Sequence, residues 1–278
     1  MASLASPIRS AVTISLVNQA RGGPFVYWDE LAASMQSAAA LGFDAVELFL
    51  PGPEAGLLPE IKQLCQSTGL QIAAVGTGAG WVIHQLSLTA FESPIRERAR
   101  LFIQSMIDFG AEFGAPAIIG SMQGRSSDRV PREAALRYLA DALNELGQHA
   151  AQHGLPLLYE PLNRYETNLH NQQLATADWL RAEQIENVQI LADLFHMNIE
   201  EQNLAEALRS AGAAIGHIHF VDSNRRAAGF GHTDFEPIAA AIRDIGYTGY
   251  LSAEAFAWPN SEAAAQQTIQ SIRQLFSN

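Results

Sequence analysis

One cysteine, Cys65, is all that 278 residues contain, so no intramolecular disulfide can form and a packed core must carry the fold, which fits a reducing, cytoplasmic setting. Positive charge is also scarce. Seventeen Lys and Arg face 29 Asp and Glu, a formal net charge of -12, and a surface of that sign repels a phosphate backbone. Nucleic acid is therefore not the expected partner. The stretch Met1 to Val17 has Arg9 as its single basic residue, and Thr13 and Ser15 interrupt its apolar part. It is too short and broken for a membrane span and lacks the layout of a signal peptide, so no membrane partner is expected either. No low-complexity tract, charge block or Pro/Gly/Ser-rich linker divides the chain, and no Gly-x-Gly-x-x-Gly turn opens an early helix.

What is present is 48% hydrophobic and 17% charged, enough for one large core, and a single domain over 1–278 is the expectation. Short apolar runs alternate with longer stretches of helical period, the mark of repeated βα units around a parallel sheet. Eight runs can be counted: Val12–Val17, Asp44–Leu48, Gln71–Val75, Ala117–Ile119, Pro156–Tyr159, Val188–Ala192, Ile215–His219 and Tyr250–Ala253. Helices are expected over Asp29–Leu41, Leu57–Thr68, Pro94–Phe113, Pro131–His153, Thr176–Glu183, Leu204–Ala211, Glu236–Asp244 and Glu262–Phe276. Gly42, Gly69, Gly154 and Gly246 stand where left-handed helix ends are expected. An open doubly wound sheet would fit the same alternation. Closure into a (β/α)8 TIM barrel is preferred because polar residues fall at the ends of many strands instead of at one switch point.

Runs five to eight end on ligand-type side chains: Glu160 after Leu157-Leu158-Tyr159, Asp193 after Ile190-Leu191-Ala192, His219 closing Ile215-Gly216-His217-Ile218, and Glu254 after Leu251-Ser252-Ala253. A carboxylate at the end of a buried strand needs a cation or donors to offset its desolvation. Any one of the four could cap a strand or pair with an arginine, but four in register point to one shared divalent ion. Three carboxylates and an imidazole suit Mn²⁺ first, with Mg²⁺, Co²⁺ or Zn²⁺ as the other options.

The segments Tyr159-Glu160-Pro161-Leu162-Asn163-Arg164-Tyr165-Glu166, Ala192-Asp193-Leu194-Phe195-His196-Met197, His217-Ile218-His219-Phe220-Val221-Asp222-Ser223-Asn224-Arg225 and Ala253-Glu254 resemble the ketose 3-epimerase and hydroxypyruvate isomerase branch of the xylose-isomerase-like TIM barrels. The resemblance implies that Glu160, Asp193, His219 and Glu254 bind the metal, that Glu160 and Glu254 are the acid/base pair, and that Glu166, His196 and Arg225 contact a small carbohydrate substrate. It also implies a homodimer or homotetramer. The chemistry agrees, since a proton beside a ketone is too weakly acidic for an unaided carboxylate and a Lewis acid must take up charge as the enediolate forms. Return of the proton to the opposite face gives epimerisation; return to the neighbouring carbon gives aldose–ketose isomerisation.

The first half of the chain is less informative. Glu47, ending the second run, is a candidate substrate or supporting contact with a buried salt bridge as the rival reading, and Trp81, after the loop Gly76-Thr77-Gly78-Ala79-Gly80, is a candidate cover for a sugar face. Ser121 and Gln123 are further polar linings. His84, His149, His153 and His170 are read as surface or loop histidines, and His217 as support for the seventh strand. Three other functions compete. A lyase or dehydratase would let the same enediolate expel water or a glycosyl group. An apurinic endonuclease of the same lineage would need histidines at the ends of strands two and three, where Glu47 and a glycine loop stand. A non-catalytic sugar-binding barrel would leave the Glu160/Glu254 pair without a purpose.

Overall fold

The protein is described by a computed structural model over residues 8–28, 30–54 and 56–276. The opening segment through Pro7, and Asp29 at the expected start of the first helix, lie outside the described residues.

In chain order the elements are β1 (Arg9–Ser15), α1 (Leu31–Leu41), β2 (Ala45–Phe49), α2 (Leu57–Thr68), β3 (Gln71–Gly76), α3 (Ala79–His84), α4 (Ser93–Ala111), β4 (Ala117–Ile119), α5 (Arg132–Gln152), β5 (Leu157–Tyr159), α6 (Gln173–Ala182), β6 (Val188–Asp193), α7 (Leu194–Glu200), α8 (Leu204–Ala211), β7 (Ile215–His219), α9 (Phe235–Asp244), β8 (Tyr250–Ala253) and α10 (Ser261–Phe276). Each strand pairs in parallel with the next, and β1 returns to β8 with Arg9 opposite Tyr250 and Val12 opposite Ala253. The sheet is therefore a closed eight-stranded barrel. Closure brings every strand's C-terminal end to one rim.

Alternation along the strands separates two cores. Ala11, Ala45 and Ala73, and above all Ala74, Ile118, Leu158 and Leu191, form clusters made only of strand residues, while Val12, Ile14, Val46 and Leu48 pack outward against helix residues such as Met35 and Ile61. The helices bury one stripe each: in α5 it is Ala135, Leu139, Ala142, Leu143, Leu146 and Ala150. Gly42, Gly69, Gly154 and Gly246 have φ of 81°, 78°, 70° and 65°, the left-handed ends expected of them. Among the described residues no helix is long and apolar enough to cross a membrane.

Three differences from the sequence-based expectation have physical causes. β1 starts at Arg9, three residues early, because the polar Ser10 is satisfied inside the sheet: its N–H and hydroxyl donate to Asp44 at 2.7 and 2.8 Å. The glycine segment after β3 is not all loop, since α3 begins at Ala79. Asp193 ends a strand and begins a helix at once, its Oδ1 accepting the backbone N–H groups of Phe195 and His196 at 2.7 and 3.2 Å, so α7 follows β6 without a loop.

Gly147 tests how tightly the outer layer is packed. In α5 an alanine would gain about 1 kcal/mol of helix propensity, but a Cβ there would lie 2.6 Å from the backbone oxygen of Glu186. Backbone cannot swing aside, so the clash wins. Gly147→Ala is expected to lower stability by about 1–3 kcal/mol in urea unfolding; an unchanged or raised midpoint would mean that α5 can shift.

Candidate functional site

Glu160, Asp193, His219 and Glu254 each place one ligand atom so that all four atoms lie within 4.8 Å of one another. They follow or end β5, β6, β7 and β8, so the gathering is a direct product of barrel closure. His219 is the hub. Its Nδ1 is 3.2 Å from Asp193 Oδ2, 3.6 Å from Glu254 Oε2 and 3.8 Å from Glu160 Oε1. Its Nε2 lies 3.1 Å from Glu47 Oε1, and the other oxygen of Glu47 takes Nε2 of His217 at 2.9 Å. Glu47 borders the cavity, yet both its oxygens are engaged by imidazoles. This arrangement fixes the ring of His219 and leaves Nδ1 aimed at the carboxylates.

The charges follow from this crowding. Burial and the neighbouring charge of Glu254 push Glu160 well above the usual carboxylate range, and burial likewise raises Glu254. Burial alone would lower His219, but Glu47 and Glu254 hold it well above its ordinary value. Burial alone would raise Glu47, but the imidazoles of His219 and His217 hold it far below. His196 is fully buried, and that desolvation pushes it down to about 3, so it is neutral at physiological pH. Its Nδ1 accepts the backbone N–H of Asn163 at 3.2 Å and the side-chain amide at 2.7 Å. The ring proton therefore sits on Nε2, 3.6 Å from Glu160 Oε1.

Above these four side chains opens a cavity of about 270 Å³, bordered among others by Phe25, Phe49, Glu160, Glu166, Arg225 and Glu254. Phe25 and Phe49 stack with centroids 4.5 Å apart and form its aromatic wall. Trp81 borders a neighbouring cavity and not this one. His196 does not border the cavity either; it packs behind Glu160, Glu166 and Arg225. Arg225 donates to Glu254 Oε2 at 2.6 Å and stands 3.6 Å from Glu166. Ser121 borders the cavity, whereas Gln123 is buried beneath it, donating to the backbone of Gly120 and Glu160 and accepting from Tyr159.

Asp222 was legible in the sequence only as part of the motif that ends on Arg225. Its carboxylate accepts the backbone N–H groups of Ser223, Gly229, Gly231 and Thr233 at 2.7 to 3.1 Å, which organises the whole loop from 222 to 233. Burial alone would raise its pKa, but those donors lower it. The loop also holds Arg225 at φ 59°, a conformation costly for a residue with a Cβ, through the turn bond Arg225 N–H to Asp222 O at 2.8 Å. Asp222→Ala is expected to cost roughly 2–3 kcal/mol of stability by orphaning those donors, with Asn restoring part of it. An unchanged urea midpoint in the alanine variant would show that the loop does not depend on Asp222.

Of the remaining histidines, His149 and His153 lie on the outer face of the barrel, each with Nε2 within 2.8 Å of Asp108 Oδ1. His170 is in a loop as expected but is buried against Trp179, at 4.2 Å between centroids, and desolvation lowers it to about 4.

With the geometry known, comparison with characterised proteins places the chain. The family model described as xylose isomerase-like TIM barrel matches residues 35–275. The 3-dehydro-D-guloside 4-epimerase of Escherichia coli (strain K12) is 30% identical over 227 residues, covering 76% of this chain and 81% of that protein. The D-psicose 3-epimerase of Agrobacterium fabrum is 27% identical over 244 residues, covering 84% and 83%. The solved structure of D-psicose 3-epimerase with D-tagatose from Clostridium cellulolyticum H10 shares the fold, with a TM-score of 0.80 at 20% identity over 98% of this chain and 100% of that one.

Proposed function

The chain belongs to the xylose isomerase-like TIM barrel family, and from that premise we propose that it is a divalent-metal-dependent epimerase or isomerase of a small keto sugar, with Glu160 and Glu254 as its acid/base pair. One observation carries the proposal: three carboxylates and one imidazole nitrogen converge within 4.8 Å beneath a cavity of sugar size.

The residues fit a metal ion. Glu160 Oε1 is buried with no hydrogen-bond partner, a costly condition that a cation relieves. His219 turns Nδ1 to the same point while Nε2 is occupied by Glu47. Glu160, Asp193, His219 and Glu254 would hold the ion, and the oxygen-rich set favours Mn²⁺. When bound, a divalent cation supplies Lewis acidity that offsets charge on a substrate carbonyl.

The chain's own residues do the rest. Glu160 and Glu254 reach the cavity from β5 and β8, with two strands between them, so they address a substrate from different sides. One removes the proton beside the carbonyl and the other returns it, which inverts the carbon. Arg225 beside Glu254 and Glu166 supplies fixed positive charge for hydroxyl or carbonyl oxygens. His196, neutral and buried, packs behind Glu160 with Nε2 3.6 Å from Oε1, beyond hydrogen-bond distance, and acts by holding that carboxylate in place. The epimerase names of the relatives support reprotonation over elimination. A cytoplasmic setting and a homodimer or homotetramer belong to the same proposal, the latter read by light scattering.

The test is turnover in deuterated water by the Mn²⁺-loaded protein on free ketoses, hydroxypyruvate, inososes and 3-keto-glycosides. Deuterium uptake into a product of otherwise unchanged mass is expected. Loss of water or of an aglycone would make the protein a lyase, and no exchange with any substrate would refute the proton-transfer reading.

A further inference from the structure

Trp81 is 41% exposed and borders a second cavity of about 470 Å³, larger than the first. The two meet along Ser121, Leu162 and Glu166, which border both. From this junction we infer that the second cavity is a subsite for a further sugar ring, so that the substrate is a keto sugar carrying a glycosidic substituent and not a free monosaccharide. This deepens the function proposed above and rests on that reading of the first cavity.

The walls have the chemistry of a carbohydrate site. Trp81, 41% exposed, offers an apolar face of the kind that the C–H face of a pyranose covers, and Phe91, 52% exposed, borders the same cavity. Gln85 and Ser127, both exposed, supply neutral donors and acceptors around them. Exposed aromatics ringed by hydroxyl and amide groups favour a neutral polyhydroxylated ligand over an apolar one. Charge does not favour a phosphate. Arg125 and Arg129 are matched by Glu92 and Glu166, and Arg129 is already paired with Glu92 at 3.1 Å and laid over the Phe91 ring at 4.0 Å.

The site is also built, not an accident of a loose loop. The segment following α3 is tied to the turn after β4: the Leu88 N–H donates to Met122 O at 2.8 Å and the Thr89 hydroxyl to Gln123 O at 3.0 Å. That turn is tied in turn to the loop after β5, with the Thr167 hydroxyl donating to Gly124 O at 2.8 Å and the Ser126 N–H to Asn168 Oδ1 at 2.8 Å. The loop after β5 also carries Glu166, which faces Arg225 in the first cavity. A ring in the second cavity is thereby held at fixed distance from the reacting carbon.

The experiment compares kcat/KM of the Mn²⁺-loaded protein for 3-keto-cellobiose, methyl 3-keto-glucoside, D-psicose and D-psicose 6-phosphate, in wild type and Trp81→Ala. Leu101→Ala, exposed on α4 and bordering neither of these cavities, is the control. The expected result is a preference for 3-keto-cellobiose that falls about tenfold in Trp81→Ala through KM and is unchanged in Leu101→Ala. A preference ratio untouched by Trp81→Ala, or a preference for the phosphate, would overturn the inference. If no substrate turns over, the proposed activity fails, and calorimetry with unmodified cellobiose judges the subsite alone. Binding weakened about tenfold by Trp81→Ala upholds it, and equal or absent binding overturns it.

Discussion

Glu254→Gln, saturated with metal, is expected to interconvert epimers about a thousandfold more slowly than wild type, while still exchanging the proton of one epimer with solvent. Glu160→Gln should behave as its mirror, exchanging the other epimer. The expectation follows from two carboxylates reaching one cavity from different strands: removing one base leaves the other able to take and return a proton on its own face. Glutamine keeps the size of the side chain but accepts no proton. Because Glu160 and Glu254 are also proposed ligands, metal content must be measured in each variant, and exchange is followed by NMR in deuterated water from each epimer separately. Interconversion within tenfold of wild type would sink the acid/base assignment. Loss of exchange from both epimers with metal retained would mean that one residue serves both faces.

Stripping the metal with a chelator is expected to abolish turnover by at least about a thousandfold, with Mn²⁺ restoring it, and the coupling to pH should be as informative as the loss. Without a cation, Glu160 and His219 have pKa values raised above their ordinary ones. A raised group contributes stability that is fully present below its unfolded value and is lost as pH rises through the folded one. The metal-free protein should therefore melt at lower temperature as pH rises from about 6 upward. At the acid end Glu47 and Asp193 act alike: their depressed pKa values give stability present above about 4 and lost as pH falls towards the folded values.

A cation replaces those protons, so uptake near neutral pH should release between about one and two of them, and affinity should rise with pH. At a hundred to a thousand times Kd the ion adds about 3–4 kcal/mol, and the gap between metal-bound and metal-free melting should widen with pH. A gap independent of pH, with no proton release in weakly buffered solution, would mean that the ion does not sit on Glu160 and His219.

The barrel and its four convergent side chains were legible in the order of residues. Short apolar runs and amphipathic stripes are local, and a parallel closed sheet sends every strand end to one rim, so Glu160, Asp193, His219 and Glu254 could be grouped from the sequence. Glu47 was also visible, as a carboxylate within β2. That its two oxygens are taken by His217 and His219, roughly 170 residues away in sequence, was not.

What the chain's order left open is everything set by side-chain direction and loop packing. Asp193 reads equally well as a strand end or a helix cap, and only the structure shows it doing both. His196 follows it by three residues, yet one helical turn buries it behind Glu160, off the cavity wall. Trp81 sits in a glycine-rich segment that reads as a loop; folding it into α3 carries the ring away from the Phe25/Phe49 wall and into the neighbouring cavity. Periodicity records which face is apolar, because burial repeats with the element. It holds no record of which distant loop supplies the other wall of a cavity, because that contact has no period, and tertiary packing alone decides it.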